Sequence, residues 1–407
     1  MQKFDEVPGV AAERLRRLPT YLFGQINALK HSMRQAGRDI IDLGMGNPSD
    51  PPPAIVVEKL REAALDPRNH RYSASTGIPN LKREVAKHYE ANWGVSLDPE
   101  REVVCTIGSK EGFSHLVLSL MGPGDTCLVP TPAFPIHIYA VVLAGANTIG
   151  VSMGEGSDEE AEARLLDGIQ HLCENTSPRP KLLVLNYPHN PTTRVVRSGF
   201  YEEIVALAKR FGFFVISDFA YGLTVFGPYR APSFLEAKGA ADVGVECSTM
   251  SKAWSMAGWR VGFLVGNREM LECLGKIKGY YDYGIFQAVQ IASIVALRHC
   301  QAEARAQAEV YRRRSELLVK GLQTDGWTVE PPKGTMFVWD GIPKPHRAAG
   351  SIPFAMKMLE EAEVALAPGR GFGEDGEGYV RLALVENEKR LQQALRQMRR
   401  VMRKEAT

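Results

Sequence analysis

The stretch Ser-Thr-Met-Ser-Lys-Ala-Trp-Ser-Met-Ala-Gly-Trp-Arg, residues 248–260, closes one β-like run (245–248) and leads into another (261–265). It sets Lys252 among small and hydroxyl residues, with Arg260 eight positions further on. A lysine attacks a carbonyl only as the neutral amine, so it needs a sheltered site and cationic neighbours that depress its pKa. Arg260 and the Thr249 hydroxyl are groups that hold a phosphate dianion. A Ser-Lys pair alone is more often an ordinary surface loop, because short motifs recur by chance. What surrounds this pair is what gives it weight.

Outward from it, short apolar runs alternate with helix-period stretches. Strands are expected at 102–107, 126–130, 181–186 and 213–217, besides the two above. Several are continuously apolar, as expected of strands covered on both faces. Helices are expected between them at 110–121, 133–144 and 200–211, with one long helical stretch at 287–322. This alternation predicts an α/β fold with a doubly wound, mostly parallel sheet. Pro48–Pro53 and the change of pattern near 280–286 suggest two bodies. Residues 50–285 form a large domain; 1–49 and 286–407 form a smaller one built from both termini. The basic final segment, 386–404, reads as a helix with a solvated outer face.

The ends of successive strands carry the polar residues. Asn190 lies in Asn-Tyr-Pro-His-Asn-Pro-Thr (186–192), while Asp218 and Tyr221 lie in Ser-Asp-Phe-Ala-Tyr (217–221). Open α/β sheets bind ligands at these carboxyl ends. A cofactor ring with a pyridine nitrogen needs a carboxylate beside that nitrogen and donors for its phenolic oxygen. Ile-Gly-Ser-Lys-Glu-Gly-Phe (107–113) reads as strand end, glycine turn and helix start, so Ser109 and Lys110 could cradle a phosphate. Phe134 could stack on a planar ring. Arg381, inside the apolar run 380–384, suits a carboxylate, since a buried guanidinium needs an anion. Taken singly, each has a plainer reading as a helix cap, a core aromatic or an edge residue. Gly371–Gly376 fits G-x-G-x-x-G but opens no convincing helix, and is read as a loop without a dinucleotide role.

Bulk properties exclude other classes. Of 407 residues, 49 are Lys or Arg and 47 are Asp or Glu, a formal charge of +2 that argues for neither nucleic acid nor an anionic membrane. No apolar run approaches the roughly 20 residues of a membrane helix, and the N-terminus lacks the apolar core of a signal peptide. The six cysteines are scattered without C-x-x-C spacing, so no metal is expected, and a reduced, cytoplasmic protein is.

Together these residues resemble the fold-type I pyridoxal 5'-phosphate (PLP) enzymes, specifically the class I/II aminotransferases, over residues 18–402. The strings Arg-Leu-Pro-Thr-Tyr (17–21), Thr-Ile-Gly-Ser-Lys-Glu-Gly (106–112) and 255–267 are similar to bacterial glutamate–pyruvate (alanine) aminotransferases. The resemblance implies that Lys252 forms the Schiff base and moves the proton between substrate Cα and cofactor C4'. Asp218 would pair with the ring nitrogen, Tyr221 and Asn190 would bond the ring oxygen, and Phe134 would stack. Ser109, Lys110, Thr249 and Arg260 would hold the phosphate, with Tyr72 arriving from the partner of a homodimer. Arg381 would clamp the substrate carboxylate beside Gly46 and Asn190. Tyr21, with Leu22 and Phe23, would gate the pocket.

The implied reaction moves an amino group between an L-amino acid and a 2-keto acid, with alanine/glutamate and pyruvate/2-oxoglutarate as the expected pairs. No arginine falls in 269–297, which weakens a strict dicarboxylate reading. The alternatives are an aminotransferase for diaminopimelate, aspartate or methionine, or a PLP carbon–sulfur lyase. A ligand-sensing domain of a transcription regulator is disfavoured, because the 45 residues before Gly46 leave no room for a DNA-binding module.

Overall fold

The structure is a computed structural model that describes residues 8–19 and 22–403. Its centre is a seven-stranded sheet of β2 (Val103–Thr106), β3 (Thr126–Thr131), β4 (Asn147–Ser152), β5 (Leu182–Asn186), β6 (Phe214–Asp218), β7 (Gly244–Thr249) and β8 (Gly262–Gly266). The strand order is β2-β8-β7-β6-β5-β3-β4; β8 runs antiparallel to both neighbours, and the remaining pairs are parallel. The expected mostly parallel α/β sheet is therefore present.

The continuous apolar runs have a two-sided cause. In β5, Leu182 and Val184 enter one core cluster with Phe113 and Leu116 of the helix Ser109–Leu120. Leu183 and Leu185 enter the opposite cluster, with Leu165 and Ile204 of the helices Asp158–Asn175 and Phe200–Phe211. Helices on both faces leave the strands no polar side. β4 was not expected from the sequence. It is an edge strand with mostly exposed or half-buried residues and Gly150 in its middle, so it lacks the buried apolar signal.

A second body surrounds a three-stranded sheet, in which β12 (Tyr379–Ala383) runs antiparallel to β9 (Phe337–Gly341) on one side and β11 (Ala367–Pro368) on the other. The short strand β1 (Ile41–Asp42) pairs in parallel with β10 (Val364–Ala365) and so joins the N-terminal segment to this body. The helix Glu388–Arg403 buries Leu391, Leu395 and Met398 and leaves its basic residues outward, as its periodicity predicted. The expected single helical stretch at 287–322 is broken at Cys300, between helices Gln287–His299 and Gln301–Thr324. The first of these packs on Ala54–Ala64 and Pro79–Trp93, the second against Glu388–Arg403. The chain must turn there to serve two bodies.

Candidate active site

The carboxyl ends of β3, β5, β6 and β7 face the three-stranded sheet across a cavity of about 420 Å³. Gly46, Ser109, Lys110, Phe134, Asn190, Asp218, Tyr221, Thr249, Lys252, Arg260 and Arg381 all line it. Residues scattered over more than three hundred positions thus converge as the sequence motifs anticipated. Tyr72 does not: it is 84% exposed, with its ring 4.4 Å from that of Tyr283. Tyr21 lies outside the described residues. Its neighbour Phe23 lines the cavity.

Lys252 follows β7 in a turn, and its Nζ donates to the Gly46 carbonyl at 2.9 Å. Burial first, then Arg381 and Arg260, pull its pKa down to about 8, while Asp218 opposes. Asp218 ends β6; its Oδ1 accepts from the Ala220 N–H at 3.2 Å and its backbone carbonyl accepts from Asn186 Nδ2 at 2.8 Å. Asn186 in turn accepts from the Asn190 N–H at 2.9 Å, which fixes the turn carrying Asn190. Tyr221 is buried, and burial raises its pKa.

Arg381 reaches in from β12. Its Nη1 donates to Asn190 Oδ1 at 2.7 Å and its Nη2 to the Gly44 carbonyl at 3.1 Å, while its buried Nε has no partner among the described residues. The guanidinium lies between two aromatic faces, 4.0 Å from the Phe337 centroid and 4.7 Å from that of Phe372. Burial pulls its pKa down to about 10. A desolvated guanidinium with a spare donor and no carboxylate partner among the described residues is poised for an anion.

At the other end, Ser109 and Lys110 open a helix whose first N–H groups lack intrahelical partners. Gly108 (φ +78°) approaches Arg260 so closely that a Cβ there would sit 2.1 Å from Nη2. Arg260 itself takes a left-handed backbone (φ 56°), a strained state that clusters at functional positions. Thr249 Oγ1 bonds Ser251 Oγ at 2.9 Å and the Val261 carbonyl at 3.1 Å. Burial, then Arg260, lower the pKa of Lys110. Among the described residues, Lys110, Lys252, Arg260 and Arg381 thus line the cavity against the single carboxylate of Asp218. That balance suits a ligand with anions at both ends.

Sequence reasoning missed His137, Asn186, Phe337 and Phe372. His137 is buried, with Nε2 2.9 Å from Asp218 Oδ2 and its ring edge-on to Phe134. Its place three residues after Phe134, in the first turn of a helix, was a usable signal. The two phenylalanines gave none, since their roles depend on contacts between distant segments.

The family model for aminotransferases of class I and II matches residues 38–398. The chain is 46% identical over 390 residues to glutamate-pyruvate aminotransferase AlaC of Escherichia coli (strain K12), covering 96% of this chain and 93% of that protein. It is 40% identical to an LL-diaminopimelate aminotransferase of Moorella thermoacetica (strain ATCC 39073 / JCM 9320), covering 97% and 98%. The solved structure of substrate-bound BacF from Bacillus subtilis superposes with a TM-score of 0.88 at 31% identity, covering 97% and 98%.

Proposed function

We propose that this chain, which belongs to the class I and II aminotransferase family and is a PLP-dependent transaminase, exchanges amino groups chiefly between alanine and 2-oxoglutarate and between glutamate and pyruvate. The residues present fit the cofactor. The orphaned Nε of buried Arg381 and the cationic cradle at 108–110 and 260 offer separate anion sites, with Asp218 and Lys252 between. Bound there, PLP supplies an electron sink for the pair left on Cα when its proton departs.

In this reading, Asp218 faces the ring nitrogen, and Asn190 and Tyr221 donate to the ring oxygen. Ser109, Lys110, Thr249 and Arg260 hold the phosphate, and Phe134 covers the ring. Arg381 and Asn190 orient the substrate carboxylate, and Gly46 leaves room for it. Lys252, with its depressed pKa, can take a proton from Cα in neutral form and return it elsewhere.

The observation that supports the substrate pair is the 46% identity over 390 residues to glutamate-pyruvate aminotransferase AlaC. A rigid arginine aimed at the distal carboxylate would be left unpaired, and would penalise alanine; residues 269–297 contain no arginine. The test is the cofactor's visible absorbance as each amino acid is added in turn. Conversion by alanine and glutamate supports the pair; preference for diaminopimelate, aspartate or methionine replaces it. Release of pyruvate and ammonia from cystathionine would favour the carbon–sulfur lyase alternative.

The same reading makes the protein a homodimer with Tyr72 completing the partner's phosphate site. Tyr72, Tyr280, Tyr281, Tyr283 and Phe286 are all exposed, and aromatic clusters of this kind mark interaction surfaces. No helix among the described residues is long and apolar enough to cross a membrane, and a cytoplasmic location is proposed with the rest. The large domain of 50–285 is proposed to extend to Cys300, because the helix Gln287–His299 packs on its helices.

A further inference from the structure

We infer that Asp42 is a positioning residue for the substrate carboxylate. It fixes the turn whose carbonyls hold Arg381 and Lys252, and Lys30 couples that turn to the helix bordering the cavity. The inference rests on the reading of Arg381 as the carboxylate clamp.

Asp42 ends β1, and its two oxygens do different work. Oδ1 accepts from the N–H groups of Gly44 at 3.1 Å and Met45 at 3.3 Å. That closes a turn in which Gly44 offers its carbonyl to Arg381 Nη2 at 3.1 Å and Gly46 offers its own to Lys252 Nζ at 2.9 Å. Oδ2 accepts from Lys30 Nζ at 2.6 Å, with Arg34 Nη2 at 3.8 Å. Lys30 is 3% exposed, a charged residue on the buried face of the helix Leu22–Gln35, beside Ile26 and Met33.

Seven positions before Lys30 on the same helix, and so on nearly the same face, stands Phe23. Phe23 lines the cavity, with its ring 5.5 Å from that of Phe372, which covers one face of Arg381. One carboxylate therefore joins the clamp's backbone acceptors to its aromatic cover. The turn has little freedom to compensate for its loss. A Cβ on Gly46 would lie 2.7 Å from Phe337 Cζ, and one on Gly44 would lie 3.3 Å from the Leu366 carbonyl carbon.

The experiment compares four holoenzyme variants for KM and kcat with alanine, glutamate and their keto acids, and for cofactor retention by visible absorbance. Asp42→Ala removes both functions of the carboxylate. It should raise KM for every carboxylate substrate by about tenfold or more, with kcat and cofactor retention changed far less. Asp42→Asn keeps an oxygen for the Gly44 and Met45 N–H groups and should stay within about threefold, as should Lys30→Met. Asp42→Glu keeps its charge against Lys30 but displaces the acceptor; it should behave like the alanine variant and serves if that variant does not accumulate.

A KM within twofold of the parent for Asp42→Ala and Asp42→Glu would overturn the assignment. So would equal effects of all four substitutions, which would make Asp42 only a tether for the helix. Arg381→Lys is measured alongside. If it too leaves KM unchanged, the clamp reading falls as well; if it raises KM while Asp42→Ala does not, only the role of Asp42 falls.

Discussion

His137 Nε2 stands 2.9 Å from Asp218 Oδ2, and the imidazole that makes this contact is 2% exposed. A carboxylate held by a buried ring nitrogen keeps one orientation. That matters for a group proposed to face a pyridine nitrogen, since hydrogen bonds involving charge are worth roughly 1.5–3 kcal/mol. His137→Leu should therefore lower kcat/KM by about tenfold or more. Titration of the bound cofactor's visible band checks the same variant: its pH profile should move if His137 acts through Asp218.

Lys252 should be indispensable, and Lys252→Ala should remove both turnover and the borohydride-reducible link to the cofactor. The sign of the pH effect follows from its depressed pKa. Only the neutral amine attacks, so cofactor uptake by apoprotein should speed up as pH rises and level off above about 8. An uptake rate still climbing steeply toward the ordinary lysine range would show that Lys252 is not sheltered as described.

Arg381→Lys replaces a planar fork between two aromatic faces with a point charge. At least two charge-assisted bonds change, so kcat/KM for amino and keto acids should fall by about a hundredfold or more. Simple amines should be affected little. Steady-state kinetics with alanine, glutamate and a carboxylate-free amine separate these effects.

Gly46→Ala should disturb the clamp without touching any polar group. The new methyl would sit 2.7 and 2.8 Å from Phe337 Cζ and Cε1, and Phe337 lies 4.0 Å from the Arg381 guanidinium. Overpacking of this kind costs about 1–3 kcal/mol. KM should rise about tenfold, and thermal unfolding of the holoenzyme should come earlier.

Glu246 gives a pH-dependent stability unrelated to catalysis. It is fully buried, accepting from Tyr89 Oη, Ser233 Oγ and the Phe234 N–H, and burial raises its pKa from 4.5 to about 8. Between those values the native state keeps a proton that the unfolded chain has lost, so stability falls as pH rises through the window. Glu246→Gln has no such proton. Its melting temperature relative to the parent should climb from pH 5 to pH 8, by an amount corresponding to about 2–4 kcal/mol at most.

The sheet was legible because its strands are buried on both faces, which leaves runs such as 182–185 with no polar positions. The cavity was legible because each strand end carries its functional group within a few residues, as with Asn190, Asp218 and Lys252. What escaped depends on partners remote in sequence. Phe337 and Phe372 have meaning only once Arg381 lies between them. The turn at Cys300 escaped because the residues on either side share one helical period; only their different neighbours require the break.

The pairing of β1 with β10 also sets an order of events during synthesis. Ile41 emerges early, yet its strand partner Val364 follows only much later. At roughly 5–20 residues per second, the wait is about 15–65 seconds. By the last third of it the cradle segments at 108–110 and 249–260 are made, while Arg381 is still missing. With Arg381 as the proposed carboxylate clamp, a chain released before residue 381 would lack its grip on an amino acid. β1 is only two residues long, so the strand left waiting offers other chains little edge to pair with.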